Sequence, residues 1–129
     1  MTPAPRSPFQ YAIVRVVPRV ERGECMNVGV VLFARTRDFL GMRVALDEER
    51  LRALSPDTDP APLRAQLEGL MRIAAGDPDA GPIARLPFPQ RFHQLVAPSS
   101  TTLQTSPVHT GVCDDPQAEL EHLHRRLVL

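Results

Sequence analysis

The sequence predicts an α+β domain: an antiparallel sheet of about five strands, opened by an N-terminal three-strand meander, with two to three helices packed on one face. Three observations lead there. Residues 9–46 contain three apolar, β-branched runs separated by short polar connectors, and connectors that short join antiparallel neighbours. Two later segments open with Asp-Pro and continue with leucines at helical spacing. A length of 129 residues suits one domain large enough to bury its own core.

The elements follow in order. Residues 1–8 are Pro-rich and are expected to be disordered, leaving residues 9–129 as the single domain. The first strand, Phe9 to Val17, is β-branched and aromatic, and Pro18 ends it. Arg19 to Glu24 is a charged turn with Gly23 at its tip. Met26 to Ala34 is the strongest strand, and Phe39 to Leu46 follows across the polar connector Arg35 to Asp38. Asp47 caps a short helix that Ser55-Pro56 closes. Asp59-Pro60 starts a longer one, striped by Leu63, Leu67, Leu70, Met71 and Ala74 and stopped by Gly76. Residues 77–90 read as a Gly/Pro-rich loop. Arg91 to Ala97 reads as a strand or a helical turn, and Thr101 to Ser106 as a strand, with Pro98-Ser-Ser100 between them. Asp115-Pro116 starts the last helix, with Leu120, Leu123 and Leu127 inward.

Composition narrows the function classes. The chain is 43% hydrophobic and 23% charged, and its 15 cations balance its 15 anions, so it is neither disordered nor a polybasic nucleic-acid or membrane binder. Every cation is Arg; with no Lys, Schiff-base catalysis is excluded, and any cationic site must be a guanidinium. The N-terminus lacks an apolar signal region, and the longest apolar run, Val28 to Ala34, is far short of a membrane span. Cys25 and Cys113 are the only cysteines, which reads as free thiols in a cytoplasmic protein.

Strand side chains alternate faces. With the usual turn parity, Ala12, Val14, Val16, Met26, Val28, Val30, Leu32, Leu40, Met42, Val44 and Leu46 share one wholly apolar face, the one the helices should cover. The opposite face is mixed. It sets Arg15 opposite Asn27 and Gly29 opposite Arg43, a polar floor with space above it that suits a phosphate or carboxylate. Glu21 and Glu24 are the nearby carboxylates that would fill such a gap from within.

Other chemistry is thinly signalled. His109, Cys113, Asp114 and Asp115 match no zinc spacing, so no metal and no cofactor is expected. There is no phosphate loop, no dinucleotide fingerprint and no Gly-x-Ser-x-Gly elbow. Ser106-Pro-Val-His-Thr-Gly111 is the most unusual segment; it reads either as an irregular connector or as a binding loop presenting Ser106, His109 and Thr110, with His109 the one candidate acid/base.

Several motifs stand together: Tyr11-x-x-x-Arg15-x-x-Pro18, Arg22-Gly-Glu24-x-x-Asn27-Val-Gly-Val30-x-Leu32, Arg91-Phe92-His93, Ser106-Pro-Val-His-Thr-Gly111 and Asp115-Pro116. Together they resemble a bacterial family, domain of unknown function 3037, from about residue 9 to residue 128. The resemblance carries no catalytic residues. It implies a partner role beside HipA-like kinase-fold proteins. The function expected is therefore a non-catalytic protein-interaction or accessory module in the bacterial cytoplasm. The alternative is a small enzyme or binding protein that takes an anionic ligand through Arg15, Arg43 and His109.

Overall fold

The structure, a computed structural model, describes residues 6–97 and 102–129. The five strands are β1 (Ser7–Val16), β2 (Met26–Ala34), β3 (Phe39–Val44), β4 (Leu103–Thr105) and β5 (His109–Cys113). The four helices are α1 (Glu48–Leu54), α2 (Pro60–Ala75), α3 (Phe88–Leu95) and α4 (Pro116–Leu127). The sheet is antiparallel, in the order β3-β2-β1, and the far edge of β1 is shared by β5 along residues 7–11 and β4 along residues 14–16. The α+β class and the meander stand as the sequence predicts.

The caps explain where the helices start. Asp47, Asp59 and Asp115 each accept backbone N–H groups of the first turn through their carboxylates, and Pro60 and Pro116 occupy positions whose N–H would be orphaned in any case. Gly76 ends α2 in a left-handed conformation, φ 75°. β1 begins at Ser7, two residues before Phe9, and β3 ends at Val44, two before Leu46. The predicted turn at Pro98-Ser-Ser100 and the strand start at Thr101 lie outside the described residues.

One reading of the C-terminal half resolves and another changes. Of the strand and helical-turn readings of Arg91 to Ala97, the helical one holds as far as Leu95: α3 begins at Phe88, with Pro89 in its first turn. The fifth strand is instead β5, which starts within the segment read as connector or loop and runs two residues past it. It is short and unusually polar, so alternation gave no signal.

The helices also divide between the two faces. α1, α2 and α3 cover one, packing Leu51, Leu63, Leu67 and Phe92 on Ala12, Val14, Val31, Phe33 and Met42. α4 covers the opposite face, packing Leu120 and Leu123 on Phe9, Val30 and Leu32. A β-bulge explains this. Val14 pairs with Gly29 but Arg15 pairs with Asn27, so β2 carries one extra residue there. Beyond the bulge the parity of β2 is reversed, and Val30 and Leu32 turn away from the α2 face while Gly29, Val31 and Phe33 turn toward it. β2 is therefore apolar on both sides, and each side has a core.

Candidate functional site

Arg15 does lie opposite Asn27, as the sequence indicates. The other two members of the polar floor do not join them. Gly29 pairs with Val14 and Val44, and a Cβ there would meet the Arg43 carbonyl oxygen at 2.9 Å and Val44 Cγ1 at 3.0 Å. Its glycine serves close strand packing on the α2 face and opens no space beside Arg15. Arg43 pairs with Val30, and its guanidinium Nη1 donates to Glu121 Oε1 of α4 at 2.6 Å. Arg15 and Arg43 are separated by two interstrand spacings and, along β1, two strand positions, about 12 Å at Cα.

The predicted gap does not form, and the carboxylate that meets Arg43 comes from α4. Neither Glu21 nor Glu24 reaches it; Glu24 Oε1 accepts from Arg22 at 2.6 Å. Asn27 is also tied to α4, donating from Nδ2 to the Leu127 carbonyl at 3.1 Å. Arg15 is half-buried, and its Nε is enclosed without a hydrogen-bond partner.

The Ser106–Gly111 segment is explained by the sheet. Ser106 is buried, and both backbone groups of Ile13 turn to it: Ile13 N–H donates to Ser106 Oγ at 2.9 Å, and Ser106 N–H donates to the Ile13 carbonyl at 2.8 Å. Ile13 is where β1 passes from β4 to β5, so Ser106 satisfies the groups that neither ladder reaches. Its hydroxyl then donates to the Pro107 carbonyl at 2.9 Å. Gly111 lies under Phe9, where a Cβ would come within 2.7 Å of the ring. His109 is exposed and lies against Tyr11, with ring centroids 5.2 Å apart and the planes tilted by 31°; Thr110 is exposed opposite Gln10. Tyr11 and Arg15 are four positions apart on β1, so His109 and Arg15 stand about 13 Å apart along the sheet. Arg15, Arg43 and His109 therefore occupy separate places.

The remaining titratable groups have structural surroundings. Cys113 is buried beside Phe9, and burial, then Glu119, pushes its thiol up, away from the reactive thiolate. Cys25 is exposed and free. His124, on α4, is buried with Nδ1 unpartnered; burial and then the Arg43 charge push its pKa down. Among the described residues no group of three or more His, Cys, Asp or Glu could hold a metal ion. No described helix is long and apolar enough to cross a membrane.

Two features were missed by sequence reasoning. One is the edge formed by β5. Among the described residues it pairs with β1 on one side only, and Val108 just before it and Val112 within it are 38% and 56% exposed. Pro8, Gln10 and Thr110 are exposed next to them, since α3 reaches across Phe33 of β2 but not this far. The other is a cavity of about 400 Å³ between α2, α3 and β4. No motif marks either; both come from helices stopping short of the sheet's edge.

Neither a curated protein nor a solved structure matches the chain. A family model described as "Protein of unknown function (DUF3037)" matches residues 11–128, nearly the whole domain. The chain belongs to the DUF3037 family.

Proposed function

We propose that this domain is a non-catalytic protein-interaction module that docks its partner along β5. The observation that carries the reading is the unguarded character of that strand. Residues 107–112 contain no charged side chain, and the only gatekeeper is Pro107. Natural sheets protect a free edge with charge, bulges or a covering element, because unpaired backbone groups there recruit another strand. Here the edge is flanked by exposed Val108 and Val112, which offer a partner strand both main-chain pairing and apolar contact. The groups that could act chemically are meanwhile held in place: Arg43 by Glu121, Ser106 by Ile13, and Cys113 in the α4-side core.

The partner implied by the family resemblance is a HipA-like kinase-fold protein, and the setting is the bacterial cytoplasm. Co-expression of the full chain with such a protein tests this. Val112→Glu, at an exposed position, should abolish co-purification while leaving the melting temperature within about 2 °C. Binding that survives both Val112→Glu and Val108→Arg would refute docking along β5. A second reading, an anionic ligand at Arg15, is favoured by the enclosed Nε with no partner. Loss of binding in Arg15→Gln with Val112→Glu unaffected would select it.

A further inference from the structure

We propose that the cavity between α2, α3 and β4 binds a small, uncharged, amphipathic organic molecule. At about 400 Å³ it falls in the range of small-molecule sites. Its floor is Val14 of β1 with Leu103 of β4, and one wall is a stripe of α2 at helical spacing, Gln66, Gly69, Leu70 and Ile73. Gln94 and Leu95 of α3 make the opposite wall. The walls are joined to the sheet: Thr105 Oγ1 donates to the Val96 carbonyl at 3.3 Å, and Leu63 and Leu67 of α2 are locked in the core just below. The described walls are thus held in place.

The lining chooses the chemistry. It contains no acidic, basic or imidazole side chain, so an ion entering it would lose hydration with no opposite charge to replace it. The polar groups are the amides of Gln66, Gln94 and Gln104, each both donor and acceptor, with the Thr105 hydroxyl; Gln66 and Gln94 stand at exposed positions beside an apolar floor. They match a neutral ligand with an amide, carbonyl or hydroxyl at one end and a ring or chain at the other.

Gly69 is the second, independent observation. It sits inside a 16-residue helix, where glycine is less favourable than alanine, and no strand or side chain among the described residues demands it: a Cβ at this position would meet none of them within 4 Å. The other glycines at close quarters, Gly29, Gly41 and Gly111, each face a neighbour at under 3.0 Å. A glycine kept at the mouth of a cavity with nothing above it leaves room for something that approaches the helix backbone there.

The test is titration of the full chain with N-phenyl-1-naphthylamine, a neutral fluorophore that brightens in apolar surroundings. Saturable binding of one probe per chain is expected. Gly69→Leu, whose side chain would occupy the mouth, should weaken it at least tenfold, and Gln66→Trp, at an exposed position, should do the same if the first variant fails to fold. Gly69→Ala, measured without probe, should raise the melting temperature by about 3 °C, because the helix gains and nothing is displaced. No saturable binding, affinity within twofold in both blocking variants, or a Gly69→Ala protein no more stable than its parent would each overturn the proposal. None of these outcomes bears on docking along β5.

Discussion

Arg91 is 7% exposed, and no carboxylate among the described residues pairs with it. Its charge is met by carbonyl oxygens instead: Nη1 donates to Leu86 at 3.0 Å and to Ala84 at 3.4 Å, and Nη2 donates to Ala74 at 3.2 Å. The Phe88 ring lies 4.8 Å from the guanidinium carbon. Ala74 is in the last turn of α2, where carbonyls lack helical partners and the helix dipole is negative. Gly76 is tightly matched to this arrangement, since a Cβ there would press on Nη1 at 3.1 Å. One side chain thus ties the end of α2 to the 82–85 turn and to α3. Replacing it with Met keeps the apolar stem and removes the donors. Two good hydrogen bonds from a charged group are worth about 3–6 kcal/mol, offset in part by the desolvation that no longer has to be met, which leaves a loss of about 2–4 kcal/mol. For a chain of this length about 1 kcal/mol corresponds to ~4 °C, so Arg91→Met should melt ~8–15 °C below the parent by calorimetry. Arg91→Lys restores the charge without the fork and should recover less than half of the loss. An Arg91→Met protein melting within ~3 °C of the parent would show that the carbonyl cage contributes nothing net.

Two further predictions concern α4. His124 is held neutral by burial and by Arg43, with Glu121 opposing, so its folded pKa lies below the ordinary value. The unfolded chain therefore binds the extra proton first, and stability should fall as pH drops below ~6.5, levelling off once the folded form also titrates. Urea midpoints at pH 7.5 and pH 5 would show this fall, and it should shrink in His124→Leu; an equal fall in that variant would assign it elsewhere. The Arg43–Glu121 pair has side chains 45% and 30% exposed, so Arg43→Ala should cost under ~1 kcal/mol. If that pair matters more, the loss will exceed ~4 °C and diminish in 0.5 M salt.

What was legible in the sequence was local chemistry. Asp-Pro at Asp59 and Asp115, the Asp47 cap and Gly76 fix helix ends through backbone groups one to three residues away. β2 was legible to the residue, because a nine-residue apolar strand leaves no choice of ends. Arg91 to Leu95 was ambiguous for the same local reason: its pattern is decided by where Arg91 points, and the carbonyls that hold it come from residues 74, 84 and 86. β5 was hidden because its partner is β1, about a hundred residues earlier, and its glycine answers to the Phe9 ring.

The candidate site turned on a single inserted position. Parity carried Arg15 to Asn27 correctly, since both lie on the near side of the bulge, and failed for Gly29, which lies beyond it. One extra residue in β2 exchanges the faces of the rest of that strand, and the connector that closes Ala34 on Phe39 restores them in β3, where Met42 stays on the α2 side; β2 tolerates the shift because Val28, Val30, Val31 and Leu32 are apolar at odd and even positions alike. A strand with a polar side would have resisted the shift and would have announced its register. The same uniformity is what demands a second apolar layer: with Val30 and Leu32 turned outward, Leu120 and Leu123 must come down on them, and α4 brings Glu121 to Arg43 as it does so. Arg43 is thus neutralised by a helix that the outward-turned Val30 and Leu32 draw onto this face, with the β2–β3 register setting Arg43 beside Val30, and no signal around Arg43 itself announces it.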